Sequence, residues 1–125
     1  MNGQGRSFAP VLHPLCQLSD IPEGESRGFD PEGTGRDTMF VVRRGDRVFG
    51  YRDSCPHHDR ARMAWKKDRY LNADGSRIRC AAHGALFSIE DGICELGPCL
   101  GKALTRVELV VRSGLVCIAQ EPDAG

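Results

Sequence analysis

Cys55-Pro56-His57 and Cys80-Ala81-Ala82-His83 each set a thiol close to an imidazole, in stretches with no apolar periodicity. The 22 residues from His58 to Arg79 separate the two pairs. Two thiolates and two neutral imidazoles make a complete four-donor set for a borderline or soft metal. Tetrahedral zinc accepts that set. So does a two-iron, two-sulfide cluster in which one iron takes both thiolates and the other takes both imidazoles. His58 stands beside His57 and offers the alternative Cys-x2-His spacing.

Ligand loops of this kind need a scaffold, and the rest of the chain reads as strands and turns. The 15 glycines and 7 prolines are spread along the sequence and punctuate short apolar runs, which predicts a mostly β domain. Residues 38–52 predict two strands joined at Arg44-Gly45-Asp46, and residues 104–119 predict a second hairpin turning at Ser113-Gly114. In the latter, Val107, Leu109 and Val111 alternate with Arg106, Glu108 and Val110, so one face is expected in the core. Residues 77–80 and 85–94 supply a further strand pair turning at Glu90-Asp91-Gly92. No long amphipathic helix is evident. The glycine- and charge-rich stretch 30–37 lacks the lysine-serine ending of a phosphate-binding loop and reads as a connection. Residues 1–17 are expected to be a loosely ordered leader, and the last six residues a frayed tail.

The 125 residues leave room for a single domain, 1–125, and 40% hydrophobic composition can fill one core. Lysine plus arginine and aspartate plus glutamate number 17 each, so bulk charge directs the chain to neither nucleic acid nor an anionic membrane. The N-terminus has no apolar run of about 7 to 15 residues, and no stretch reaches about 18 apolar residues, which predicts a soluble cytoplasmic protein. In that setting the six cysteines point to metal binding or buried thiols rather than a disulfide framework.

With its surroundings included, the constellation resembles the Rieske iron-sulfur family. Residues 55–59, Cys-Pro-His-His-Asp, and 80–87, Cys-Ala-Ala-His-Gly-Ala-Leu-Phe, match its two cluster boxes. Residues 91–99 resemble its proline-containing loop, and residues 102–118 its closing hairpin. The likeness runs from about Leu18 to Ile118; the departure is a long spacer between the boxes, with a turn expected at Asn72 to Gly75. The resemblance implies an all-β antiparallel sandwich or barrel, with a smaller cluster-binding subdomain at about 53–101 formed by two loops and a basal β-domain making up the remainder.

It also implies one [2Fe-2S] cluster per chain, held by Cys55 and Cys80 on one iron and His57 and His83 on the other. His58, like His13, is then an ordinary histidine. Imidazole ligands raise the potential over an all-cysteine cluster and offer a ring edge through which an electron can leave. High-potential members carry an extra cysteine in each box and hydroxyl donors to sulfur; here Asp59, Arg60 and Ala82, and Ala85 and Phe87, occupy those neighbourhoods. The expectation is a low-potential, ferredoxin-type electron carrier, not an enzyme, working between a flavin reductase and an oxygenase. A nitrite-reductase-like small subunit and a zinc-stabilised binding module are the alternatives. Gly84 and Gly97 are expected to allow close backbone approach or to serve turns. Met63, Trp65 and Tyr70 are expected to form a small core for the inter-box loop. Arg60, Arg62, Lys66, Lys67 and Arg69 form a solvated basic face, or a docking patch for an acidic partner. Oligomeric state is not encoded in any of these features.

Overall fold

Met39-Phe40-Val41-Val42 is apolar at every position, the pattern of a strand covered on both faces. In a computed structural model, which describes residues 10–54, 63–64, 66–80 and 84–120, this run opens the strand at the centre of the molecule. The strands are β1 (Val11–Gln17), β2 (Ser26–Phe29), β3 (Met39–Arg44), β4 (Arg47–Arg52), β5 (Ile78–Arg79), β6 (Leu86–Phe87), β7 (Cys94–Leu96), β8 (Arg106–Val107), β9 (Leu109–Arg112) and β10 (Leu115–Gln120). A 3-10 turn at Leu18–Asp20 is the one helical piece among the described residues. It is too short to cross a membrane, which says nothing about a β-barrel.

Three antiparallel sheets result, ordered β1-β10-β9, β2-β3-β4-β8 and β5-β6-β7. The middle sheet separates two apolar clusters. Met39 and Val41 of β3 pack with Ile21, Leu15, Phe29, Val48, Leu109 and Ile118 on the side of the β1-β10-β9 sheet. Phe40 and Val42, one residue out of phase, pack with Phe49, Tyr51, Ile78, Cys80, Ala85 and Phe87 on the other side. Strand alternation therefore divides one run between two layers. Gly50 of β4 keeps the first interface tight: a Cβ there would lie 2.8 Å from Leu109 Cδ1.

Both hairpins form at the expected turns. β3 pairs with β4 from Met39–Arg52 to Arg44–Arg47, leaving Gly45-Asp46 as the loop. β9 meets β10 at Arg112–Leu115, and Ser113 (φ +52°) and Gly114 (φ +77°) both take the left-handed conformation of a tight hairpin turn. The expected strand pair at 77–94 gains a third member, β7.

Two expectations need correction. Residues 11–17 are not a loose leader: they form β1 and pair with β10 from Val11–Gln120 to Gln17–Leu115. Pro14 and a bulge before Cys16 obscure the strand in the sequence, yet an edge strand with one free side accommodates both. Residues 1–9 and 121–125 lie outside the described residues. The strand expected across 104–112 is divided. Val107 pairs with Gly50 in the middle sheet, whereas the Glu108 carbonyl accepts the Ala119 N–H of β10 at 2.9 Å. The chain thus passes between sheets at Glu108, leaving Val107 and Leu109 half-buried and Val111 exposed.

Candidate metal centre

Cys80 follows β5 directly and is fully buried in the cluster containing Ala85 and Phe87. Its N–H donates to the Ala85 carbonyl (2.9 Å), and the Gly84 N–H donates to the Cys80 carbonyl (2.7 Å). These bonds close the β5–β6 connection into a tight loop. Gly84 supplies φ +69° with open space around it, so its freedom serves the turn.

Gly97 does something different. At φ +104° it lies so near the second box that a Cβ would stand 2.9 Å from Ala85 Cα, so backbone packs on backbone. The loop it begins is pinned by Lys102 N–H to the Cys99 carbonyl (2.8 Å) and Cys94 N–H to the Lys102 carbonyl (2.7 Å). Cys94 and Cys99 are both buried there without a disulfide between them. At the other end of the sheet, Tyr51 Oη donates to the Ile89 carbonyl at 2.6 Å, and burial pushes its phenol up to about 12.

The spacing of thiols and imidazoles does not reveal a buried acid that stands two residues before the first box. Asp53, just past β4, is only 6% exposed. Its Oδ1 accepts the Met63 N–H at 2.7 Å and its Oδ2 accepts the Tyr70 hydroxyl at 3.0 Å, so one carboxylate ties the end of β4 to Met63 and to Tyr70. A carboxylate two residues before the first box, after the aromatic-rich end of a strand, is the signal that could have found it. Burial, then the Asp53 charge, raises the Tyr70 phenol and keeps its proton in place. The Tyr70 ring stacks on Phe40, centroids 4.1 Å apart, and Met63 is fully buried in the same cluster. Met63 and Tyr70 therefore join the main core instead of forming a small one of their own, because Asp53 draws them to the middle sheet. Trp65 lies outside the described residues.

Cys55, His57 and His83 also lie outside the described residues, as do His58, Arg60, Arg62 and Ala82; Cys80 is the described member of the four. Among the described residues no three metal-binding side chains converge. His13 is an exposed residue of β1. Of the basic group, Lys67 pairs with Asp37 at 2.8 Å and Asp68 at 3.3 Å, and Arg69 is exposed. The turn expected in the spacer forms: Gly75 N–H donates to the Asn72 carbonyl at 3.0 Å, and Leu71 bridges to Ile78.

The family model of the Rieske [2Fe-2S] domain matches residues 11–114. The chain belongs to the Rieske family. Its cofactor is a [2Fe-2S] cluster, and what is described of the second box fits one: a buried cysteine, a tight loop after it and a glycine-backed approach from the proline-containing segment. The all-β fold of this Rieske domain recurs in solved structures. It is similar to a chain in the complex of reduced oxygenase and oxidized ferredoxin in carbazole 1,9a-dioxygenase, with 27% identity, 93% of this chain and 99% of that chain covered, and a TM-score of 0.68. The Sphingomonas yanoikuyae B1 ferredoxin gives 25% identity, coverage of 88% and 99%, and the same TM-score of 0.68. The ferredoxin of carbazole 1,9a-dioxygenase from Nocardioides aromaticivorans IC177, at 24% identity, 91% and 100% coverage and TM-score 0.68, shares the fold. Nothing among curated proteins matches.

Proposed function

We propose that this Rieske domain is a one-electron carrier, passing electrons from a flavin reductase to an oxygenase and performing no substrate chemistry itself. The observation that carries the reading is the family match over 11–114, joined to near end-to-end coverage of the 27%-identical chain from an oxygenase–ferredoxin complex. Cys55 and Cys80 hold one iron; His57 and His83 hold the other. The imidazole-bound iron takes the electron, since neutral ligands oppose added charge less than thiolates do. Residues 53–101 act as the cluster-binding subdomain and the remaining strands as its base, with the core cluster under β3 and β4 shared between them.

Ala85 and Phe87 are buried beside Cys80 and carry no hydroxyl. Hydroxyl donors to sulfur stabilise the reduced cluster, so a site without them is harder to reduce and its potential falls near about −150 mV.

Anaerobic purification tests the reading. The expected product is red-brown, with iron and acid-labile sulfide near two of each per chain, reducible by a flavin reductase and reoxidised by an oxygenase. Colourless protein with stoichiometric zinc overturns it. A potential above about +200 mV by protein-film voltammetry overturns the low-potential assignment.

A further inference from the structure

The two most exposed large apolar side chains among the described residues are Leu100 (68%) and Leu96 (59%), and both lie at or just past the end of β7. A bulge prepares their neighbourhood. Phe87 pairs with Cys94 but Leu86 pairs with Leu96, so Glu95 is the extra residue on β7. A regular ladder would set Glu95 opposite Leu86; the bulge sets a leucine there instead. On the other side of β6, Arg79 pairs with Leu86. Paired residues share a face, so Arg79, Leu86 and Leu96 form one row across the sheet, opposite the buried Ile78, Phe87 and Cys94.

Arg77 is matched by Glu95 at 2.5 Å, whereas Arg79 is exposed and has no ion pair among the described residues. The loop after the row is fixed. Leu100 N–H donates to the Gly97 carbonyl (3.2 Å) and Gly101 N–H to the Cys94 carbonyl (3.3 Å), so backbone bonds hold Leu100 out in water. The row also stands beside the second box: Arg79 precedes Cys80, whose N–H bonds to the carbonyl of Ala85, the residue before Leu86. Single exposed leucines are ordinary, but leucines gathered at one place and rimmed by charge mark an interaction site.

Resting on the electron-carrier reading, we infer that the outward face of β5, β6 and β7, with the Leu100 loop, is where the electron-accepting oxygenase docks. The partner covers Leu96 and Leu100 with apolar side chains and sets a carboxylate against Arg79. Electron-transfer encounters are small and weak, and a few leucines with one unmatched cation supply an interface of that kind. A second copy of the chain fits less well, because a twofold contact on this face offers Arg79 only Glu95, which Arg77 already holds.

The probe is the oxygenase of carbazole 1,9a-dioxygenase, titrated calorimetrically with the oxidised, cluster-loaded protein and mixed with the reduced protein to follow reoxidation. L96S/L100S should weaken binding about tenfold at low and high salt alike, since apolar burial is not screened. R79E should weaken it about tenfold in low salt and much less at about 0.5 M, where charges are screened. V111S, at an exposed position on β9, should bind as wild type does. L96S/L100S should also keep the wild-type potential and the wild-type reoxidation rate at saturating oxygenase, which places its defect in docking. Wild-type affinity in both L96S/L100S and R79E, or equal weakening in V111S, overturns the inference with the carrier reading intact. So does a wild-type dimer in sedimentation that L96S/L100S dissolves, which gives the face to a second copy. Wild-type protein that passes no electron to the oxygenase overturns that reading and this inference with it. If L96S/L100S loses its cluster, R79E and its salt dependence carry the test.

Discussion

Val41 and Val42 are neighbours on β3 and equally buried, yet they belong to different kinds of packing. Val41 faces a layer built from β1, β9 and β10, with strands of four to seven residues and one two-residue turn between β9 and β10. Val42 faces β5, β6 and β7, which are two or three residues long. Strands so short do not hold a sheet by ladder bonds alone. That layer is held instead by long-range contacts: the Asp53 carboxylate, the Tyr51 hydroxyl, the Phe40–Tyr70 stack and the Gly97–Ala85 approach. One face of the sheet is stabilised by local pattern, the other by contacts between residues far apart in the chain.

The largest test removes the proposed ligands. Cys80→Ser or His83→Ala should abolish the visible spectrum and lower bound iron to background, while His58→Ala leaves both unchanged. Iron lost in His58→Ala but retained in His57→Ala would reverse the assignment within the first box.

Glycine substitutions sharpen the contrast next. Gly97 and Gly114 both have positive φ, but a Cβ meets Ala85 at the first and nothing within 4 Å at the second. Gly114→Ala should cost about 1 kcal/mol from backbone strain alone. Gly97→Ala should cost about 3 kcal/mol, as overpacking adds to strain, and should reduce cluster occupancy. Equal urea midpoints for the two variants would remove the distinction.

Hydroxyls restored by Ala85→Ser with Phe87→Tyr should raise the potential, each contributing at most about 1.5 to 3 kcal/mol toward the reduced form. Voltammetry showing no rise means that the hydroxyls do not reach sulfur. On β3, Val41→Ala and Val42→Ala should each destabilise by about 2 kcal/mol. The Val42 variant alone should also release iron faster, and equal release from both would show that the two layers are not separable.

A pH dependence is expected in the layer away from the boxes. Burial, with Asp20 adding to it, pushes the Cys16 thiol up to about 11 from an ordinary value of 9.0. The unfolded chain then releases its proton at lower pH than the folded one, so this contribution is fully present below about pH 9 and is lost as pH rises toward about 11. Urea melts across that window should show the decline, and Cys16→Ala should remove it.

The two hairpins, their turns and the all-β class were legible in the sequence because each depends on residues a few positions apart: alternation chooses the face, and Gly45, Ser113 and Gly114 allow the turns. The turn at Gly84 was legible for the same reason, since a hydrogen bond four residues long ties its N–H to the Cys80 carbonyl. What only the tertiary structure decided depends on distant partners. β1 is a strand because β10 lies beside it, Glu108 is a crossing point because two sheets compete for adjacent residues, and Met63 and Tyr70 enter the main core because Asp53 holds them there. Hydrogen bonds between residues far apart in the chain leave no period in the sequence, and a buried carboxylate looks like any other aspartate until its donors are in view.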